Sequence, residues 1–137
     1  MIKNITEFVF SNSEFKELYE LYDFQKEIVD EIKKRKNNIF LKIFASSTCQ
    51  YCKIYIPEML KIHEYVEFNI EFICWEDQDE DKQINLMDDF NLTGLPTIII
   101  YKVFENKKTL ELGRIVKEPK KTIEEDVLII LELDRSE

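Results

Sequence analysis

Glycine is nearly absent from this chain of 137 residues: only Gly94 and Gly113 occur. Two isolated glycines cannot build a Gly-rich phosphate loop or a dinucleotide fingerprint, so nucleotide cofactors held by such loops are excluded. Histidine is scarcer still, with His63 alone. That removes multi-histidine metal centres and leaves any His-assisted hydrolase one residue to build on. Basic residues are outnumbered, 19 Lys and Arg against 28 Asp and Glu, for a net charge of −9. An acidic surface repels phosphate backbones and anionic lipid, so neither nucleic acid nor membrane is an expected partner. The longest apolar runs, such as Ile98 to Tyr101 and Val127 to Leu131, fall well short of the ~20 residues a bilayer needs. Met1 to Glu7 has neither an apolar run nor a small-residue cleavage site, and the expectation is a cytoplasmic protein.

What is plentiful is apolar surface. Hydrophobic residues make up 45% of the chain and aromatic ones 12%, enough for the core of one ordinary domain without disulfide staples. No repeat, linker or low-complexity segment divides residues 1–137, which are expected to form a single domain. Ser11 to Glu14 reads as a capping box with Ser11 as the cap, opening a helix through Lys36 that breaks near Asp23-Phe24. Ile39 to Ala45 is a mostly apolar strand suited to a sheet buried on both faces. Ser46 to Lys53 is a polar turn opening a helix that carries Ile56, Leu60, Ile62 and Val66, with Pro57 expected to kink it. Phe68 to Trp75 is the next strand, and strand-helix-strand in this span predicts a right-handed βαβ unit with parallel strands. A helix over Lys82 to Phe90, strands over Thr97 to Phe104 and Thr109 to Val116, and a closing helix over Lys120 to Leu133 complete the reading.

Three cysteines without export argue for thiols used in chemistry or metal binding rather than for a structural disulfide framework. Cys49-Gln50-Tyr51-Cys52 falls where the first strand turns into its helix. Unpaired N–H groups and the dipole at a helix N-terminus stabilise negative charge. Cys49, at the mouth, should therefore hold a thiolate more readily than a free cysteine does. Cys52 lies one turn inside, near enough to close a disulfide with it and better shielded. An exposed attacker and an inner resolver are the division of labour that thiol exchange requires.

From Ile39 to Leu133 the chain resembles the thioredoxin family. The Cys49-x-x-Cys52-Lys53 motif, with Pro57 five residues after the second cysteine, is similar to the family's active-site helix. Thr93-Gly94-Leu95-Pro96-Thr97, with Pro96 44 residues after Cys52, is similar to its cis-proline loop. A hairpin containing Gly113 and a terminal helix follow in the family's order. The resemblance implies a thioredoxin-like α/β fold, a central mixed β-sheet flanked by helices on both faces, with 39–133 as the core and 1–38 as a helical extension. It implies catalysis of thiol-disulfide exchange by Cys49 and Cys52, with Thr48, Gln50, Tyr51, Leu95 and Pro96 contacting the substrate. Pro96 would be cis and face the dithiol, leaving nearby backbone free to pair with an extended substrate strand. Disulfide-containing proteins would be the substrates, and a reductase or a small thiol would recycle the pair, with no metal or organic cofactor.

The departures from the family keep two other readings open. Thr48 stands where the family usually has tryptophan, and Gln50-Tyr51 where it commonly has Gly-Pro. The buried acid of the leading strand is replaced by Lys42 or Ile43, which leaves Glu58 as a candidate proton acceptor. These losses fit a redox-inactive protein-binding module on the same fold. Tyr51 fits a glutaredoxin-like, glutathione-dependent reductase, against which stands the acidic loop from Glu76 to Asp81, expected near the active edge, where it would repel anionic glutathione.

A zinc site of Cys49, Cys52, His63 and Cys74 is excluded by reach. His63 lies eleven helical residues beyond Cys52, roughly 16 Å of axis, whereas zinc bonds are about 2.0–2.3 Å. Cys74 reads as a small buried hydrophobe at a strand end, or else as a third redox thiol beside the pair.

Overall fold

The computed structural model describes residues 1–134. Three helices come first: α1 (Ile5–Phe10), α2 (Ser13–Leu21) and α3 (Lys26–Lys34). Strand β1 (Ile39–Ala45), helix α4 (Gln50–Val66) and strand β2 (Asn69–Cys74) form the expected βαβ unit. A 3-10 turn over Trp75–Asp77 leads to α5 (Glu80–Phe90), the hairpin β3 (Thr97–Val103) and β4 (Thr109–Val116), and α6 (Ile123–Leu131).

The N-terminal capping residue differs from the sequence expectation. Ser11 ends α1, donating its hydroxyl to the Phe8 carbonyl. Asn12 caps α2 instead, its Oδ1 accepting from the N–H groups of Glu14 and Phe15. The next-door amide wins because Asn12 has the extended backbone that an N-cap needs. The break expected near Asp23-Phe24 spans Tyr22–Gln25, the second helix ends at Lys34 rather than Lys36, and α1 precedes them both. Helix α4 runs on through Pro57.

The sheet has the order β2-β1-β3-β4. Strand β1 is parallel to β2, with Phe40 opposite Asn69 and Ala45 opposite Cys74. It is antiparallel to β3, which in turn pairs antiparallel with β4. Side chains of a strand alternate between faces, and here the two faces are covered unequally. Leu41, Ile43, Ala45, Ile98 and Ile100 join one large core with residues of α1, α2, α3, α4 and α6. The opposite face carries α5, whose Phe90 ring packs on Phe44 at 5.3 Å between centroids. On that face Lys42 also lies over the Phe90 ring and pairs with Glu71 at 3.2 Å. The expectation of a first strand buried on both faces is corrected: a single helix shields that side, and the first half of β1 alternates between buried and half-buried residues.

Parallel strands finish at the same edge of a sheet. The ends of β1 and β2 therefore meet there, together with the start of β3 and the end of β4, since Thr97 pairs with Phe44 and Val116 with Thr97.

Candidate active site

The Ser46–Thr48 loop delivers Cys49 to the N-cap of α4 at this edge. Its backbone is extended, as a capping residue's must be, and its sulfur takes the place of the usual capping oxygen. The Cys52 N–H points at Cys49 Sγ across 3.4 Å. On the other side Cys49 Sγ donates to the Leu95 carbonyl at 3.1 Å. Leu95 precedes Pro96, and the peptide bond between them is cis. The sulfur is partly exposed, whereas Cys52 is fully buried behind it. All three cysteines are free thiols.

Burial pushes the Cys52 thiol well above its ordinary range. The Ser46 N–H, 3.5 Å from Cys52 Sγ, counteracts this, while Cys49 and the charge of Glu76 add to it. Cys49, Cys52, Leu95 and Pro96 thus come together. Thr48, Gln50 and Tyr51 are exposed around the sulfur, Tyr51 on the first turn of α4. A shallow apolar hollow of about 240 Å³ adjoins Leu95, lined also by Trp75, Met87, Leu92, Thr93 and Gly94.

Glu58 is not part of this group. Burial and the charge of Glu124 raise it to about 7, and it lies on the side of α4 that faces α6 and Tyr22. The acid at the cysteine edge is Glu76, the first residue of the acidic loop expected there. Its carboxylate accepts the Ser47 N–H at 2.9 Å, the Ser47 hydroxyl, and the Cys74 thiol at 3.2 Å. Burial works against its charge, but these hydrogen bonds hold its carboxyl below the usual range. A sequence signal did exist: Glu76 directly follows the strand expected over Phe68 to Trp75, parallel to β1. Other acids of the run serve local structure, with Asp77 accepting the Ile2 N–H and Asp79 capping α5.

Cys74 is buried at the end of β2, and burial, then its hydrogen bond to Glu76, pushes it up to about 12. That is the behaviour of a packed, unreactive thiol. His63 sits near the far end of α4, accepting the Phe68 N–H at Nδ1 across 3.2 Å. Among the described residues no three His, Cys, Asp or Glu side chains gather in a metal-binding cluster. None of the described helices is long and apolar enough to cross a membrane.

A mixed sheet whose βαβ unit presents a close pair of cysteines at a helix N-terminus, opposite a cis-proline loop, defines a thioredoxin-like domain. Fold and cysteine pair support oxidoreductase chemistry at a general level. The family model for thioredoxin matches residues 20–125, and the chain belongs to the thioredoxin family. Among solved structures it is similar to a thioredoxin from Thermus thermophilus, with 18% identity and a TM-score of 0.52 over 78% of this chain and 80% of that one. It is also similar to a protein of unknown function from Pseudomonas aeruginosa, with 13% identity and a TM-score of 0.68 over 96% of this chain and 90% of that one. The second alignment reaches the N-terminal helices; at these identities both likenesses concern the fold alone. No curated protein matches the sequence.

Proposed function

We propose that the protein exchanges disulfides with protein substrates through Cys49 and Cys52. One observation carries the reading: Cys49 Sγ is partly exposed between a helix N-terminus and the Leu95 carbonyl, and Cys52 is buried directly behind it. The Cys49 thiolate attacks one sulfur of a substrate disulfide, forming a mixed disulfide, and the other substrate sulfur leaves as a thiolate that takes up a proton. Cys52 then gives up its proton and attacks Cys49 Sγ. This releases the second substrate thiol and leaves the protein oxidised by two electrons. A reductase protein or a small thiol returns those electrons, and no metal or organic cofactor enters the cycle. Pro96 supports the reading as well, since it has no N–H to compete for an extended substrate strand laid beside it.

The departure from the family at Thr48, and at Lys42 and Ile43, favours a second reading, a docking module on the same fold without turnover. Cys52→Ser separates the two. With the resolving sulfur gone, mixed disulfides on Cys49 persist and run as adducts on a non-reducing gel, and they disappear in the Cys49→Ala, Cys52→Ser double variant. If Cys52→Ser yields no Cys49-dependent adducts with any of several oxidised proteins, the docking reading stands instead.

A further inference from the structure

Lys117, just past the end of β4, has φ 67°, the left-handed region that disfavours any residue with a Cβ. Its backbone is fixed there: the Lys117 N–H donates to the Pro96 carbonyl at 2.8 Å, and the Glu118 N–H to Val116 at 2.9 Å. Residues in this conformation gather where function requires a particular side-chain direction. The direction here is across the proline loop. A Cβ added at Gly94 would stand 2.5 Å from Lys117 Cε, 2.9 Å from Cγ and 3.2 Å from Cδ, so the lysine stem lies flat along Gly94. Gly94 and Leu95 both line the apolar hollow, and the Leu95 carbonyl accepts the Cys49 thiol.

The chain's net charge is −9, yet the ammonium at the end of that stem has no ion-pair partner among the described residues. Glu76, on the other side of Cys49, is engaged by Ser47 and Cys74. The Lys117 stem therefore packs on the residue that precedes Leu95, whose carbonyl accepts the Cys49 thiol, while the Glu76 carboxylate is held by Ser47, two residues before Cys49.

We propose that Lys117 is a specificity-determining residue, its ammonium binding a carboxylate carried by the substrate a short distance from the reacting sulfur. The proposal rests on the thiol-exchange reading and adds the substrate class: disulfides flanked by an acidic group. That carboxylate could belong to an Asp or Glu side chain of a protein segment, or to a small disulfide such as oxidised glutathione.

The test uses the full chain and three disulfide peptides identical except for Glu, Gln or Lys near the cysteine, with oxidised glutathione as a separate arm. Exchange kinetics are measured at low and high salt, and binding is measured with the same peptides carrying Ser for Cys. The wild-type protein should favour the Glu peptide over the Lys peptide by about fivefold, mainly through KM, with the gap shrinking as salt rises. Lys117→Gln should erase the order, and Lys117→Arg should restore it. Gly94→Ala, which forces the stem aside without altering its charge, should weaken it. A Lys117-dependent preference confined to oxidised glutathione assigns the carboxylate to the small disulfide. Equal rates for the three peptides with no Lys117 dependence in the glutathione arm, or an order that survives Lys117→Gln, overturns the proposal. If no disulfide is exchanged at all, the redox reading falls and the binding arm decides Lys117 alone: loss of Glu-peptide binding in Lys117→Gln supports it, and charge-blind binding overturns it.

Discussion

The N-terminal helices and the cysteine edge are held to the same sheet by contrasting means. Helices α1 to α3 are fastened with buried rings and internal polar contacts. Phe8 packs on Phe15 and Phe72 at 5.1 and 5.0 Å between centroids, and the fully buried Val29 and Ile32 extend the same core. Where the chain breaks between α2 and α3, the almost completely buried Glu124 of α6 accepts the Tyr22 hydroxyl and, at 2.8 Å, the Gln25 N–H. Lys61 of α4 adds a bond to the Tyr22 carbonyl at 2.9 Å. The cysteine edge has less of this: a short polar loop, one exposed carboxylate on Ser47, the Lys117 N–H on the Pro96 carbonyl at 2.8 Å, and a thiol-to-carbonyl contact of 3.1 Å. On the proposed function, the edge that meets the substrate is held by fewer side-chain contacts than the region that supports it, which is tied from several sides.

The strongest way to break this contrast is to damage the support. Phe8→Ala should cost about 3–5 kcal/mol, the usual loss for a buried ring, seen as a lower denaturation midpoint. The alkylation rate of Cys49 in the protein that remains folded should stay unchanged. A parallel change in Cys49 reactivity would show that the helices do more than support.

Tyr22→Phe should cost about 1–3 kcal/mol, because it leaves one oxygen of the buried Glu124 carboxylate without its donor. Denaturant titration reads it, and a loss below a few tenths of a kcal/mol would show the extension to be loosely docked.

At the cysteine edge, iodoacetamide with peptide mapping between pH 7 and 9 should label Cys49 faster than Cys52 or Cys74 on the order of tenfold or more. Cys52 and Cys74 are both buried, and burial raises both thiols, Cys74 to about 12. Equal labelling would cancel the distinction between an exposed and a shielded sulfur.

The smallest effect sharpens the comparison on α4, the helix the two regions share. Glu58 has an ordinary value of 4.5 and stands at about 7 when folded, through burial and then the charge of Glu124. Between those values the folded chain binds more protons than the unfolded one, so this group's contribution to stability falls as pH rises from about 4.5 to about 7. Glu58→Gln should remove that slope and be more stable than wild type at pH 8 by about 1 kcal/mol, a figure already reduced for partial solvent exposure. Thermal melts at pH 5 and pH 8 check it, and a gap that does not widen toward pH 8 would refute it.

Much of the scaffold was legible because its signals are local. The strands Ile39–Ala45 and Thr109–Val116 fall within their expected bounds, since an apolar run of strand length between polar turns has few alternatives. The cysteine motif at a strand-to-helix turn pointed to a helix N-terminus for Cys49, which is the N-cap of α4. Boundaries slipped where two neighbours could serve the same local role. Asn12 took the cap from Ser11, and α5 begins at Glu80 rather than Lys82 because Asp79 accepts the Lys82 N–H.

Sequence by itself determined the order of the elements, the βαβ unit and the cysteine pair at the start of a helix, for these follow from periodicity and spacing within a few turns of chain. Tertiary structure alone decided which distant groups meet. It carried Glu76 to Ser47, 29 residues away in the chain, sent Glu58 toward Glu124 instead of the cysteines, and sealed Glu124 beneath Tyr22. It also laid Lys117 along Gly94. The reason is that strand register and helix packing set such contacts, and register is chosen by the burial of the whole core, which no single segment of the sequence contains.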